Sequence, residues 1–370
     1  MQPATGQVED RYRPQLDALR AFFVVCVLIT HFWQPDPLPS IFRRVDFGFI
    51  GVRAFFVLSG FLITRILLHC RSAAEESGQS PLSFVRRFYA RRFLRIFPVY
   101  YLIIALALLV NVPPARDLWP WLVTYTSNVY QAIFDQGVRY FGHFWTLAVE
   151  EQFYLVWPWI VLYATRRSLP WIVLMSMGVA LVYRDVALRQ LGENWGTLPF
   201  ASLDTLGAGA LLALAVHATR DRDALQRTLL RTVLPIGVVT YFGLHALTFR
   251  SDDDWLLVVF HETAFAMICC GIIAAADRGI GGVGGRLLQL RPIVFIGRIS
   301  YGIYAYHFFM PWLLMRLLPR VGWQLPEPGP ARFVMAAIVT TVVAAASWYV
   351  LERPVNRLKR FFPYSGVYAA

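Results

Sequence analysis

The sequence predicts an all-α integral membrane protein, a polytopic bundle of about ten transmembrane helices. Three observations predict this fold. Hydrophobic residues make up 57% of the chain and charged residues only 16%, whereas soluble proteins average about 25% charged. The apolar residues are collected into runs long enough to cross a bilayer at about 1.5 Å per residue. Arg and Lys are concentrated in alternate connecting segments, which is typical of cytoplasmic loops.

Ten apolar segments follow one another along the chain. They cover residues 16–33, 47–69, 96–112, 143–163, 169–187, 198–217, 231–249, 255–276, 293–318 and 331–351. Segment 118–134 contains Pro120 and several polar residues, so we predict that it is interfacial or re-entrant; an eleven-helix count is the alternative. We expect residues 1–370 to form a single membrane domain with no appended soluble domain.

The basic residues predict the orientation of the bundle. With the N-terminus inside, the cytoplasmic segments hold about 21 Arg and Lys residues and the outer loops hold about nine. We therefore predict that the tails 1–14 and 352–370 are both cytoplasmic. The net charge of +12 is explained by this topology and by contact with anionic membrane lipids, so nucleic acid is not implied as a partner.

Three ionisable side chains share one face of the first predicted span. Arg20 and His31 are eleven residues apart, a spacing that returns to within about 20° of the same direction on a helix, and Asp17 lies within about 40° of that line. Ionisable groups inside a bilayer are costly and normally face a bundle interior, so this face is a candidate functional site. The alternative is a structural Asp17 to Arg20 ion pair and a hydrogen-bonded core histidine.

A basic segment precedes the third span. Arg92 and Arg95 lie one turn apart within residues 84–98, among several aromatic side chains. A guanidinium group can bind phosphate oxygens through two parallel hydrogen bonds, so this pair could hold a phosphorylated cytoplasmic ligand such as acyl coenzyme A. A basic amphipathic helix at the membrane surface is the alternative interpretation.

Two polar stripes lie on later spans. Their members are His143, Glu150 and Tyr154 on one helix, and Ser300, Tyr304 and His307 on another. Glu150 would be costly against lipid, so we expect it to face the bundle interior. A hydrogen-bonded network between helices explains both stripes as well as a catalytic cavity does.

The second span carries small residues and one charge. Gly51, Ser59 and Gly60 interrupt an otherwise aromatic helix, which indicates close helix packing. Arg53 lies about one turn inside the outer interface, where we expect its side chain to snorkel outward. The spacing of the Cys and His residues does not suggest a metal site.

These residues resemble the acyltransferase 3 family, membrane enzymes that O-acylate sugars, polysaccharides and some glycosylated small molecules. The resemblance covers nearly the whole chain. Its six elements, in order, are Leu16 to Ala21 with His31; Phe49 to Phe61; Arg92, Arg95 and Pro98; His143 to Leu147 with Glu150 and Tyr154; Ser300, Tyr304 and His307; and Glu352 with Pro354. Relatives often carry arginine where this chain has Ser202, two residues before Asp204, which weakens an acceptor role for that helix.

The resemblance implies an acyl-CoA-dependent O-acyltransferase of the bacterial inner membrane, with acetyl as the favoured acyl group. It implies that His31 is essential and coupled to Arg20, with Arg92 and Arg95 on the donor side. Acetyl-CoA or another acyl-CoA would be a substrate, with no tightly bound cofactor. The acceptor would be a hydroxyl of a sugar, surface glycan or glycosylated small molecule. A homo-oligomer is compatible with this prediction.

Many relatives also carry an extracytoplasmic hydrolase-like domain, so we expect transfer here to be completed by the bundle itself or by a separate protein. The competing function is a secondary transporter or flippase of a lipid-linked or small polar substrate. That function is disfavoured because the sequence shows no inverted repeat. A receptor or scaffold would not need His31.

Within this hypothesis, His31 acts as a general base or forms an acyl-histidine. Asp17 is about 21 Å away along the helix axis and cannot orient it. We predict that Glu150 orients His31, with His307 and Tyr304 as the second choice. Further acceptor-site or supporting residues are Asp17, His143, Tyr304, His307 and Ser59.

Overall fold

The structure, a computed structural model, describes residues 12–33, 46–134, 138–188, 190–248 and 255–364. All regular elements in these ranges are helical, and no strand occurs among them, which confirms the predicted all-α class. The predicted tails lie partly outside the described residues, as does the first outer loop.

Seventeen α-helices are present in the described ranges. In chain order they are α1 (Pro14–Phe32), α2 (Phe47–Ser77), α3 (Pro81–Leu109), α4 (Ala115–Val123), α5 (Ser127–Phe134), α6 (Phe144–Tyr163), α7 (Leu169–Tyr183), α8 (Leu203–Ala218), α9 (Arg222–Thr228), α10 (Leu234–Thr248), α11 (Trp255–Arg278), α12 (Gly282–Leu287), α13 (Arg291–Arg298), α14 (Ser300–Tyr306), α15 (Phe309–Leu317), α16 (Pro330–Ser347) and α17 (Arg353–Arg357). Short π-helical and 3-10 turns extend or join several of them.

Eight helical stretches in the described part of the chain are long and apolar enough to cross a membrane. They correspond to eight of the ten predicted spans. Of the other two segments, 143–163 forms the single helix α6, and 293–318 is divided into α13, α14 and α15. The second break has a local cause, because Pro311 has no amide hydrogen to donate to the carbonyl of His307 four residues earlier.

The segment between the third and fourth spans forms two short helices. Helix α4 has nine residues and α5 has eight, so each is only about 12 to 14 Å long. Neither can cross the membrane alone, as the sequence predicts for segment 118–134. The preceding helix α3 is longer than predicted, since it begins at Pro81 and carries the basic segment and the span in one continuous helix.

Glycines bring α2 into direct backbone contact with its neighbours. A methyl group added at Gly60 would lie 2.0 Å from the carbonyl oxygen of Leu206, and one added at Gly209 would lie 2.0 Å from that of Val57. Gly51 packs in the same way against α1, where an added methyl would lie 2.6 Å from the carbonyl of Phe23. Small residues allow this approach in membrane bundles, so the predicted packing role is confirmed for Gly51 and Gly60.

We predict that Gly60→Val destabilises the bundle, because the new side chain would collide with backbone rather than with a movable side chain. Overpacking of this kind costs about 1 to 3 kcal/mol. Thermal unfolding of the purified protein in detergent measures the effect. Gly178→Val is the matched control, since an added methyl at Gly178 meets no atom within 4 Å. Equal unfolding temperatures for the two variants would contradict the prediction.

Candidate active site

A cavity of about 230 Å³ lies among helices α1, α2, α3, α6 and α14. Its polar lining residues are Arg20, Ser59, Arg92, Arg95, Thr146, Glu150, Tyr154, Ser300, Tyr301 and Tyr304. The predicted arginine pair and most of both polar stripes therefore converge on one space, although they come from distant parts of the sequence. Asp17, His31, His143 and His307 do not line this cavity.

Three arginines give the cavity a strongly basic wall. Arg20 donates a 2.7 Å hydrogen bond to Asp17, which also accepts a 2.6 Å hydrogen bond from the hydroxyl of Tyr12. The predicted structural pair is thus present, while Arg20 also lines the cavity. Within the described part of the chain, Arg92 and Arg95 form no hydrogen bond or ion pair. Arg92 lies 5.5 Å from the ring centre of Tyr154. The guanidinium groups of Arg92 and Arg95 can therefore bind an anionic ligand.

Glu150 faces the bundle interior, as predicted. Its carboxylate accepts a 2.6 Å hydrogen bond from the hydroxyl of Ser59 across the α2 and α6 interface. The hydroxyl of Tyr154 donates to the Ser59 oxygen at 3.4 Å. Ser59 therefore serves the polar lining of the cavity as well as the packing of α2.

His31 and His307 form a hydrogen-bonded pair beyond the cavity. Nδ1 of His31 lies 3.1 Å from Nε2 of His307, and Nδ1 of His307 lies 2.5 Å from the carbonyl oxygen of Tyr304. A carbonyl can only accept, so Nδ1 of His307 carries the hydrogen and its neutral Nε2 accepts from His31. This arrangement leaves a lone pair on Nε2 of His31, the atom that a general base would use.

His143 completes a cluster of three histidine rings around Phe308. Its ring stacks on Phe308 with centroids 4.6 Å apart and lies 4.7 Å from the ring of His307. Nε2 of His143 donates to the carbonyl of Ala305 at 3.2 Å. Nδ1 of His143 is buried and has no hydrogen-bond partner among the described residues. We call His31, His143 and His307 the histidine cluster.

The predicted pairing of Glu150 with His31 is wrong in this structure. Glu150 is hydrogen-bonded to Ser59, and the partner of His31 is His307. The reason is membrane depth. Glu150 lies seven residues beyond His143, about 10 Å along the α6 axis, whereas His143 is already in the cluster with His31. The residue hydrogen-bonded to His31 is instead His307, the second choice.

Tyr304 connects the cavity with the histidine cluster. Its hydroxyl lies 2.6 Å from that of Thr146 and donates to the carbonyl of His143 at 3.2 Å. Its ring lies 5.3 Å from the ring of His307. Because Tyr304 also lines the cavity, it separates the basic wall from the histidines.

A second polar group lies outside the cavity and corrects the expectation for Arg53. The Arg53 side chain does not snorkel outward but forms a 2.6 Å ion pair with Glu262 and donates to Ser202 at 2.7 Å. Beside it, the fully buried Arg184 binds both carboxylate oxygens of Asp204, at 2.9 and 2.7 Å. Sequence reasoning missed Arg184 and Glu262. The sequence did contain a signal for them, because each is a charged residue within or beside an apolar span and therefore needs a partner of opposite charge.

The fold is a polytopic helical membrane bundle, and its interior polar side chains gather around one cavity. Residues 13–349 match the family model described as an acyltransferase domain, acyltransferase 3. The chain belongs to this family, which confirms the resemblance drawn from its motifs. No solved structure matches the chain.

The curated relatives are bacterial O-acetyltransferases. The chain is 26% identical to O-acetyltransferase OatA of Staphylococcus aureus, over 94% of this chain and 58% of that protein. It is 28% identical to the putative peptidoglycan O-acetyltransferase YrhL of Bacillus subtilis, over 94% and 55%. It is 26% identical to the peptidoglycan O-acetyltransferase OatA of Listeria monocytogenes, over 95% and 57%. The chain thus spans little more than half the length of these relatives.

We predict that His307→Phe lowers the rate of acyl transfer by about 10- to 100-fold, because His31 loses the acceptor that fixes its tautomer. His307→Gln should retain more activity, since its amide oxygen can accept the same hydrogen bond. Initial rates of acyl transfer by the purified variants measure both effects. Equal rates for the two variants would remove the hydrogen bond to His31 from the mechanism.

Proposed function

We propose that this protein is an O-acetyltransferase that moves an acetyl group from acetyl-CoA to a hydroxyl of a surface carbohydrate. The supporting observation is the basic cavity wall on one side of Tyr304 and the histidine cluster on the other. The basic wall can bind the phosphates of a donor, and the histidine cluster can activate a hydroxyl. The family and the named relatives support acetyl transfer to carbohydrate.

The donor is held by its phosphates. Arg92 and Arg95 supply guanidinium groups that form no ion pair within the described structure, and Arg20 faces the same cavity. Arg20 and His31 lie about 16 Å apart along α1, a distance that an extended phosphopantetheine arm can bridge. The phosphates then remain at the arginines while the thioester reaches Tyr304 and the histidines. Because α1 begins at the tail that we predict to be cytoplasmic, the donor enters from the cytoplasm.

His31 activates the acceptor. Nε2 of His31 takes the proton of the hydroxyl while the hydroxyl oxygen attacks the thioester carbonyl carbon. The C–S bond of the tetrahedral intermediate then breaks, and the leaving thiolate takes up the proton from His31. The products are the acetyl ester and free coenzyme A. A two-step route through acetyl-His31 uses the same groups and gives the same products.

The acceptor is a sugar hydroxyl that arrives from the outer side. Two of the relatives described above carry peptidoglycan O-acetyltransferase in their names, and a cell-wall glycan is therefore the substrate class we favour. His31 lies near the C-terminal end of α1, which is the outer end under the predicted topology. Its side chain remains partly exposed there, so an acceptor can approach it.

We expect His31→Ala to abolish acetyl transfer while coenzyme A still binds, because the phosphates are held by other residues. Loss of a general base lowers a rate by about 10² to 10⁴. Release of free thiol from acetyl-CoA by the purified protein with a glycan acceptor measures transfer. His245→Ala is the control, since His245 lies outside the cavity lining and the histidine cluster. Activity of His31→Ala within a few fold of the control would exclude His31 as the base.

Replacing both Arg92 and Arg95 with Lys should weaken coenzyme A binding about tenfold or more, although the charge is kept, because lysine cannot form the two parallel hydrogen bonds. Titration calorimetry with coenzyme A measures this. Arg86→Lys with Arg87→Lys is the matched control on the same helix, outside the cavity lining. Unchanged affinity of the first double variant would assign the basic segment to lipid contact. It would also reopen the flippase hypothesis if thioester consumption were absent.

A further inference from the structure

A second pocket, of about 430 Å³, lies at the end of the bundle where α1 begins. It is formed by the residue preceding α1, the C-terminal ends of α8 and α11, and helix α9. Its lining residues do not overlap with those of the active-site cavity. We call it the Arg13–Arg222 pocket, after two of the three arginines that line it; the third is Arg278.

The charges of the Arg13–Arg222 pocket are not balanced by protein groups. Asp277 in its wall is paired with Arg65, and Arg278 is paired with Asp223. Arg13 and Arg222 remain, and neither forms an ion pair or hydrogen bond through its side chain within the described part of the chain. Both are only partly exposed to solvent, so their guanidinium groups have lost some of their hydration. An anion in the pocket would restore the missing partner.

Apart from Gln226, the uncharged residues of the lining are apolar. Val216, Leu225, Leu229 and Ala274 form a hydrophobic wall beside the two arginines. The pocket also lies at a membrane boundary, because the apolar stretches of α8 and α11 end there, at Ala218 and Arg278. A ligand that fills both parts must carry a negative charge next to hydrocarbon.

From this combination we infer that the Arg13–Arg222 pocket binds an anionic phospholipid. Its phosphate lies between the guanidinium groups of Arg13 and Arg222, and its acyl chains follow Val216 and Leu229 into the bilayer. Under the predicted topology the pocket faces the cytoplasmic leaflet, where basic pockets between helices bind lipid headgroups. A soluble phosphate compound would satisfy the arginines but would leave the apolar wall exposed, so we assign the site to lipid.

The lipid would connect α1 to the opposite wall of the pocket. Arg13 immediately precedes α1, and Arg20 lies seven residues further along the chain, about two turns into that helix. Gln15, on the first turn of α1, already receives a 2.6 Å hydrogen bond from the amide of Ile280, in the segment that follows α11. A bound phosphate would add a further link between the start of α1 and the α9 to α11 region. The site is therefore a structural lipid site, and it does not depend on the proposed transfer reaction.

The test compares two double variants of the full-length protein that lose equal charge. Arg13→Gln with Arg222→Gln removes the proposed phosphate ligands, whereas Arg227→Gln with Arg231→Gln removes two exposed arginines nearby that do not line the pocket. Native mass spectrometry of the purified proteins measures retention of phosphatidylglycerol and of phosphatidylcholine with identical acyl chains. Glycerol 3-phosphate is the soluble probe.

We expect wild type and the Arg227, Arg231 variant to retain one phosphatidylglycerol in preference to phosphatidylcholine. The Arg13, Arg222 variant should bind phosphatidylglycerol about tenfold or more weakly, since two cation contacts are lost. Equal binding by the two double variants would overturn the proposal. Equal retention of the two lipids, or glycerol 3-phosphate binding as tightly as phosphatidylglycerol, would also overturn it. Thermal unfolding without added lipid shows whether each variant is folded.

Discussion

The rigid length of helix α1 is the constraint on which the rest of the site depends. Arg20 and His31 stand on one uninterrupted helix, so the distance between them is fixed at about 16 Å along its axis. The other parts of the site assemble around these two positions. Arg92 and Arg95 from α3 join Arg20 at the cavity, and His307 joins His31 beyond it. In the proposed reaction, phosphate binding and hydroxyl activation therefore belong to separate ends of one helix.

The arginines inside the bundle fall into two groups, which differ in whether a carboxylate is paired with them. Around Arg53 and Arg184, each guanidinium is matched by a carboxylate within hydrogen-bonding distance, which removes most of the cost of burial. At the cavity, Arg92 and Arg95 are left without such partners in the described structure, although Glu150 lies on the same cavity wall and is bonded to Ser59 instead. Unmatched cations are costly in an apolar setting unless a ligand completes them. This contrast is consistent with the proposed role of Arg92 and Arg95 in donor binding.

Helix periodicity predicted which side chains face inward, but it could not predict depth. The spacing of Arg92 and Arg95, and of Glu150 and Tyr154, correctly indicated one interior face on each helix. It gave no information on how far α6 is shifted along the membrane normal relative to α1. For this reason the predicted pairing of Glu150 with His31 was wrong. The break of the ninth span at His307 depends on Pro311, and it separates His307 from the stripe that carries Ser300 and Tyr304 into the cavity.

The ion pairs formed by Arg53 and Arg184, outside the cavity, also could not be predicted from a single sequence. Arg184, at the start of the π-helical turn that follows α7, and Asp204, on α8, are twenty residues apart, so only tertiary packing brings them together. Arg53 needs Glu262 from α11, more than two hundred residues away. A charged residue in an apolar segment indicates that it has a partner of opposite charge. Which residue is the partner depends on how the helices pack, and no local sequence pattern predicts it.

The contact between Tyr304 and Thr146 bears on whether a donor would be used for transfer or lost to hydrolysis. The two hydroxyl groups are hydrogen-bonded to each other, and both residues line the cavity on the side of the histidine cluster. Under the proposed function, Tyr304 would stand between a donor thioester in the cavity and a hydroxyl activated by His31. Transfer would then depend on how often a single tyrosine side chain moves aside, and so would the loss of donor to water that enters beside the histidines.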